Sequence, residues 1–300
     1  MSDLQAVIQA ANTQREEAFS PELREALRGC DPARIHEALA AIEEPAGAGL
    51  VAVWLGALVE QGEPPERSIE AIMQCFLAWT RDLTDESRVD ERLGLGLRYL
   101  GQALVAHLAR AENVKQQLSQ RPGLLERLAE LEQHTVGAIW VGHLLRQQSG
   151  RLLVLHGQKP VAAMLSYHNL TNCAHLFTLL QAALEQRMPG ARTTDPHIVA
   201  VARGESRDSE LMDTAWWHFG QADCPTAELG ASVWAEAAPD SISWIDDHQV
   251  MLLWPAILGS RSWNTGFFGP YLEAAPPQVR VENWLAEGEV AGWRERLKLG

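Results

Sequence analysis

Closely spaced cysteines are absent from this sequence. Its four cysteines, Cys30, Cys75, Cys173 and Cys224, lie far apart, and no two of them have the CxxC spacing of a zinc ribbon. Small domains held together by disulfides need a much higher density of paired thiols. The cysteine pattern therefore argues against a disulfide scaffold and against a classical structural zinc site.

Basic charge is scarce. The chain carries 25 Lys and Arg against 39 Asp and Glu, which gives a formal net charge of -14 and an isoelectric point near 5.2. The resulting negative potential repels phosphate backbones and anionic lipid headgroups, so we expect neither a nucleic acid nor a membrane as partner. A protein, a peptide or a small molecule fits the charge better, and the sequence leaves the oligomeric state open.

Long apolar runs are missing as well. The longest uncharged run extends from Ala46 to Val59 and is too short to span a bilayer core of roughly 30 Å. The first residues place Asp3 early and lack a basic stretch followed by an apolar one, so they do not resemble a secretory signal. We therefore expect a cytoplasmic protein in which residues 46–59 form a buried helix.

Motifs of familiar catalytic sites are also missing. The sequence contains no GxSxG, no Walker A lysine loop, no GxGxxG after a strand and no HExxH. Gly94 and Gly96 fall within a helical pattern and are better explained as a site of close packing between helices. These absences favour a function in binding, although they leave the question of an enzyme open.

The composition is that of a globular protein, with 46% hydrophobic and 21% charged residues, and 300 residues favour two domains. Residues 1–148 predict an all-α domain, because cap-plus-proline helix starts such as Asp31-Pro32 and a helix-ending Gly29 separate apolar patterns of helical period. Short connections indicate antiparallel neighbours. We expect six or seven helices in a bundle or a short HEAT-like array.

Residues 149–300 predict a tryptophan-rich α+β domain. Two apolar runs at 151–156 and 161–167 flank a Gly-Gln-Lys-Pro turn, which is typical of a hairpin. One helix is expected over 169–188, a second over 195–203 and a terminal one over 287–297. The remaining strand candidates are 215–219, 232–236, 248–254 and 279–284. Because strands and helices do not alternate strictly, we expect a mostly antiparallel sheet with two or three helices.

Eight of the eleven tryptophans lie in this second half. Trp216 and Trp217 are adjacent, and on a strand they point to opposite faces. Either the sheet is covered on both faces, perhaps by the helical half, or one indole is presented to a ligand. We include Trp217 and Trp234 among the candidate ligand-binding residues.

The segment 259–270 is the best candidate for a binding loop. It combines glycines, serines, one cation and three aromatic rings. Arg261 is suited to hold a carboxylate or phosphate, Asn264 to orient a polar group, and Trp263, Phe267 and Phe268 to wall a pocket. An irregular crossover loop anchored by aromatic rings explains the same composition, so both interpretations stay open.

Histidines provide the alternative site. His156, His168, His175 and His218 lie in the second half, and imidazole is a ligand for zinc or iron. Their spacing matches no metal motif, so a structural role is the simpler interpretation and no cofactor is expected. Asp246-Asp247-His248 is similarly better explained as a hairpin turn than as a general base with its carboxylate.

Several segments resemble a family of uncharacterised bacterial proteins that is frequent in actinomycetes. The resemblance rests on VLH at 154–156, NLTNCAHLFTLL at 169–180 and RSWN at 261–264, and it extends over roughly residues 90 to 297. It implies a helical first half and an α+β second half. No activity is established for that family, so the resemblance adds no catalytic residue.

Taken together, these features predict a non-catalytic binding or accessory protein that recognises a peptide, a protein or a small ligand through a groove lined by Trp and Arg. A metal-dependent hydrolase or oxygenase that uses the histidines of the second half is the alternative.

Overall fold

The structure is a computed structural model, and it describes residues 3–13, 21–84, 89–190, 194–206, 210–214, 217–257, 260–264 and 275–299. The chain divides into two compact units, Met1–Arg146 and Gln147–Gly300. The first unit is helical and the second contains the sheet, so the fold class is α+β, as predicted.

The described residues of the first unit form nine α-helices, more than the six or seven predicted. Three of them have only seven or eight residues, which is too short for a clear apolar period. The helices are α1 (Asp3–Thr13), α2 (Pro21–Leu27), α3 (Pro32–Ala40), α4 (Pro45–Glu60), α5 (Ile69–Trp79), α6 (Glu91–Leu108), α7 (Glu112–Ser119), α8 (Leu124–Leu131) and α9 (Val136–Arg146).

The predicted helix boundaries around Gly29 are confirmed. Gly29 adopts a positive φ of 68° after α2, a conformation that glycine reaches without a steric penalty. The carboxylate of Asp31 accepts a hydrogen bond from the backbone N–H of Ala33, with Pro32 in the first turn of α3. Local capping chemistry therefore sets the start of α3.

Helices α4, α6 and α9 approach one another closely through glycines. A Cβ added at Gly49 would lie 2.8 Å from the carbonyl oxygen of Gly96, and a Cβ at Gly101 would collide with the backbone of Gly137. The interpretation as a close-packing site is thus confirmed for Gly96, whereas a Cβ added at Gly94 would meet only the Val89 side chain at an ordinary contact distance of 3.5 Å. The apolar run 46–59 lies within α4, and no helix in the described part of the chain is long and apolar enough to cross a membrane.

The second unit contains a mixed sheet with strand order β4-β6-β1-β2-β8. Strand β5 also pairs with β6, and β3 with β7 forms a separate antiparallel pair. The strands are β1 (Gln148–His156), β2 (Ala162–Leu170), β3 (Glu210–Thr214), β4 (Trp217–Gln221), β5 (Trp244–Ile245), β6 (His248–Pro255), β7 (Ser260–Asn264) and β8 (Gln278–Trp284).

One pairing in this sheet is parallel. Strand β1 pairs with β6 from Leu152↔Gln249 to His156↔Leu253, whereas β1 with β2, β2 with β8 and β4 with β6 are antiparallel. The predicted hairpin over 151–167 is therefore confirmed as β1 and β2. The described part of the sheet is mostly antiparallel, as its sequence predicted.

The main sheet buries both of its faces within its own unit. Alternate residues of β1 point to opposite sides: Leu152 and Val154 join the larger core, and Leu153 and Leu155 the smaller one. Helices α10 (Cys173–Leu184) and α11 (Pro196–Ala202) supply the larger core, and α12 (Glu287–Arg296) contributes Val290 to the smaller. Strands buried on both faces explain why β1 and β6 have continuous apolar runs.

Three details of the second unit differ from the prediction. Residues 232–236 form no strand, because Ser232 makes only an isolated bridge with Gly220 before the chain turns. Within the loop predicted over 259–270, the described residues 260–264 form β7. Helix α10 begins at Cys173 instead of 169, since β2 continues to Leu170 and the Asn172 side chain caps the helix.

Candidate functional site

The predicted binding segment is only partly described. Arg261, Trp263 and Asn264 lie on β7, where their backbones pair with Asp213, Leu211 and Glu210 of β3. Their side chains, and the whole of Phe267 and Phe268, lie outside the described residues. The proposed role of this segment therefore stays a prediction.

The two other predicted ligand-binding tryptophans differ sharply in exposure. Trp217 on β4 is buried, with 5% of its surface exposed, and its ring meets that of His156 edge-on at a centroid distance of 5.0 Å. Its indole N–H has no hydrogen-bond partner among the described residues. Trp234 is 55% exposed in a turn. Trp217 thus belongs to the core, and only Trp234 presents its ring to solvent.

His156 is built into the end of the β1–β2 hairpin. Its Nδ1 accepts hydrogen bonds from the backbone N–H groups of Gln158 and Lys159, so the ring proton is on Nε2. Burial, reinforced by the positive charges of Lys159 and Arg294, lowers the pKa of His156 to about 4. The ring is therefore neutral near pH 7 and holds the turn in shape.

The other candidate metal ligands are also dispersed. The Nε2 of His175 lies 2.6 Å from the carbonyl oxygen of Ala202 in α11, the Nε2 of His218 lies 2.6 Å from the Ser232 hydroxyl, and His168 is exposed. Among the described residues, no group of three His, Cys, Asp or Glu side chains is arranged to hold a metal ion. The metal-dependent alternative has no ligand set in this part of the chain.

Asp246 and Asp247 form the turn between β5 and β6, which confirms the predicted hairpin turn. Asp246 adopts a positive φ of 51°, which a short polar side chain tolerates in a tight turn. Its carboxylate pairs with Arg296 at 2.6 Å, and the ring of His248 contacts that of Trp293. These side chains connect the turn to α12.

Two serine–histidine pairs are present that the sequence did not reveal. Ser68 lies 2.7 Å from Nε2 of His107, whose Nδ1 lies 2.7 Å from the carbonyl oxygen of Ala103. Both side chains are buried, so no substrate reaches them. In the second pair, Ser232 with His218, the serine is half-buried and therefore accessible.

The described residues of the first unit form a groove between α3 and α5, with a volume of about 710 Å³. We call it the Trp79 groove. Most of its lining residues are apolar in type, and polar side chains come from His36, Gln74 and Arg81. The lining residues are His36, Leu39, Ala40, Ile42, Ala71, Gln74, Cys75, Leu77, Ala78, Trp79 and Arg81.

Small side chains open this groove. Ala40 on α3 and Ala78 on α5 both line it and are exposed, whereas Leu39, Ile42 and Ala71 at its base are buried. Two helices that meet through alanines leave space where larger side chains would interdigitate. The groove thus results from the small side chains that α3 and α5 present to each other.

The Cys75 thiol in the groove wall is not activated as a nucleophile. Burial raises the pKa of the Cys75 thiol to about 11, despite a hydrogen bond with the Trp79 indole, so the sulfur is protonated near pH 7. A protonated thiol is a weak nucleophile and behaves as a small apolar group. Cys75 therefore adds apolar surface to the groove wall and no reactivity.

Sequence reasoning missed this groove for a specific reason. Its aromatic and cationic residues, Trp79 and Arg81, lie in the helical half, whereas eight of the eleven tryptophans lie in the second half. The sequence does place Ala-Trp-Thr-Arg at the end of an apolar helical pattern, which could have indicated a binding surface. The α3 residues that complete the groove, however, lie about forty residues away in the chain.

Comparisons of the chain with protein-family models, with curated proteins and with solved structures give no match. The resemblance to an uncharacterised bacterial family stays a prediction. The interpretation of the Trp79 groove therefore rests on its own geometry.

Proposed function

We propose that this chain is a binding protein that holds a small, mainly apolar ligand in the Trp79 groove. The observation that carries the proposal is the groove itself: about 710 Å³ of concave space, lined by apolar side chains with a few polar groups. Pockets for small ligands have volumes of about 300–1,000 Å³ and this same mixture of surfaces. A binding or accessory role agrees with the absence of catalytic motifs in the sequence.

The half-buried indole of Trp79 is the largest of the side chains that line the groove. Indoles contribute strongly to ligand and partner recognition because they bury much apolar area with little conformational freedom to lose. Leu39 of α3 and Ile42, which follows α3, line the same groove. An apolar group bound among these side chains is removed from water.

Occupancy of the groove is tested with Nile red, a neutral dye that fluoresces on entering apolar sites. The variants Ala40→Trp and Ala78→Trp fill the groove from exposed positions. Ala33→Trp is the matched control, because Ala33 is exposed on the same helix α3 and lies outside the groove. We expect saturable dye binding for the wild type and for Ala33→Trp, and little or none for the two groove variants.

The proposal fails if all four proteins bind Nile red alike, since the dye then binds elsewhere. It also fails if the wild type shows no saturable binding. Far-ultraviolet circular dichroism checks that each variant keeps its helices, so that loss of binding is not loss of fold.

The Ser232–His218 pair supports a second candidate function, hydrolysis of an ester by a serine nucleophile. A histidine that accepts the hydroxyl proton makes the serine oxygen nucleophilic, and the 2.6 Å separation of Oγ and Nε2 suits this transfer. Leu229 and Trp234, both exposed, lie close to Ser232 in the chain and offer apolar surface for a substrate.

A fluorophosphonate probe tests this second candidate. The Ser232 oxygen would attack phosphorus, fluoride would leave, and the hydroxyl proton would pass to His218. We expect peptide mass spectrometry to locate the adduct on Ser232 and His218→Gln to slow labelling strongly, while Ser68→Ala has no effect. An unlabelled Ser232 in the wild type would remove hydrolysis by this serine.

A further inference from the structure

The charged side chain that lines the Trp79 groove, Arg81, is positive, whereas the chain as a whole carries a net negative charge. From this contrast we propose that the ligand is an apolar monoanion, such as a carboxylate with a hydrocarbon or aryl body, whose charged end is held by Arg81. This inference rests on the proposed function, because it identifies the ligand class of the same groove.

The first argument is the charge of the lining. The chain carries 39 acidic residues and a net charge of -14, yet none of the described residues that line the groove is acidic. The lining contains one permanent cation, Arg81, and one histidine, His36. The described lining is therefore a local exception to the negative charge of the chain, since it contains neutral and cationic side chains and no carboxylate.

The second argument concerns the acid closest in sequence to the groove lining of α5. Glu70 lies one turn before Gln74, and its carboxylate accepts hydrogen bonds from Gln74 at 2.9 Å and from Arg121 at 2.6 Å. The guanidinium of Arg121 therefore balances this negative charge. Glu70 also interacts electrostatically with His36, so its carboxylate lies near the groove, but among the described residues it forms no ion pair with Arg81.

The third argument is the state of Arg81. No carboxylate among the described residues forms an ion pair with its guanidinium, and its side chain is exposed beyond the end of α5. Guanidinium groups bind carboxylates through two parallel hydrogen bonds, which a point charge cannot do. Arg81 is thus placed to contact a carboxylate at the rim while the apolar body of the ligand lies along Trp79.

The apolar body and the charged end of the ligand should contribute differently to binding. Burial of the apolar body against Leu39, Ile42 and Trp79 supplies most of the affinity, since an exposed ion pair contributes little. The contact with Arg81 supplies selectivity for charge. Replacing Arg81 by glutamine should therefore weaken an anion about three- to tenfold and leave a neutral ligand unchanged.

The experiment uses three probes with the same ten-carbon chain: decanoate, decanol and decyltrimethylammonium, each below its aggregation concentration. Each probe displaces Nile red from the full-length chain, from Arg81→Gln and from Arg34→Gln. Arg34 is the matched control, because it is an exposed arginine of α3 outside the groove. We expect decanoate to displace the dye best, Arg81→Gln to remove that preference and Arg34→Gln to retain it.

The outcomes separate the two proposals. If decyltrimethylammonium or decanol displaces the dye as well as decanoate does, the assignment of an anion is wrong and the apolar binding function stands. If decanoate is preferred equally in Arg81→Gln, Arg81 is not the anchor. If no probe displaces Nile red, and Ala40→Trp also leaves the dye bound, the proposed function fails with the inference.

Discussion

Replacing His175 by glutamine should remove a defined part of the pH dependence of stability. His175 on α10 is only 4% exposed, and its Nε2–H donates to the carbonyl oxygen of Ala202 at 2.6 Å, which links α10 to α11. Desolvation lowers the pKa of His175 to about 4, although its hydrogen bond to Ala202 acts in the opposite direction. Glutamine keeps a donor at a similar distance and does not titrate.

The sign of the effect follows from proton binding. In the unfolded chain the imidazole has a pKa of about 6.5. Between that pH and about 4 the unfolded state therefore binds a proton at this residue, whereas the native state does not. The stabilisation is complete above pH 6.5 and is lost as the pH falls toward about 4. At pH 5 the loss from this one group is about 2 kcal/mol relative to pH 7.5.

Urea unfolding at pH 7.5, 6 and 5, followed by tryptophan fluorescence, measures this loss. The fluorescence reports mainly on the second unit, which contains eight of the eleven tryptophans. We expect the wild type to lose about 2 kcal/mol more than His175→Gln between pH 7.5 and pH 5. Equal losses in the two proteins would show that His175 is protonated in the native state, and the reasoning from burial would be refuted.

Three further substitutions test contacts of the fold. Arg294→Met removes hydrogen bonds to the carbonyl oxygens of His156 and Lys159, and it should destabilise the second unit by about 1–3 kcal/mol in urea unfolding; an unchanged midpoint would mean that solvent replaces these bonds freely. Gly101→Ala forces a methyl group against α9 and should cost about 1–3 kcal/mol by thermal denaturation, whereas Gly29→Ala is a control for strain without a clash. Asp31→Ala removes the cap of α3 and should cost about 1 kcal/mol, while Asp31→Asn should recover most of it.

Local chemistry explains what the sequence predicted well. Asp31 beside Pro32 predicted the start of α3, and the turn between the two apolar runs predicted the β1–β2 hairpin. Each of these features depends on residues that are neighbours in the chain, where capping and turn propensities are strong. The hairpin interpretation of Asp246-Asp247 succeeded for the same reason.

Features that depend on distant pairing were harder to predict. The strand expected over 232–236 had suitable residues, but Ser232 makes only one bridge, with Gly220 of β4, before the chain turns at 235–236. Strand β7 lies in a segment whose glycines and serines indicated a loop, yet β3 pairs with it in antiparallel register. Strand propensity is therefore decided by the available partner.

The Trp79 groove could not be predicted for a related reason. Its volume is set by the distance between α3 and α5, and that distance depends on how the other helices of the first unit pack. Ala40 and Ala78 are unremarkable in the sequence, since exposed alanines are common in helices. Only the pairing of the two helices turns them into the edges of a cleft.

The dependence of the smaller core on α12 affects how the second unit assembles during synthesis. Leu153, Leu155, Val250 and Leu252 form one side of the sheet, and Val290 of α12 is synthesised after all of them. Until that helix docks, a continuous aliphatic surface faces water on the nascent polypeptide. A nascent chain in which α12 has not yet docked would therefore expose this aliphatic face of the sheet. Intermediates with such exposed apolar surface are typical substrates of chaperones.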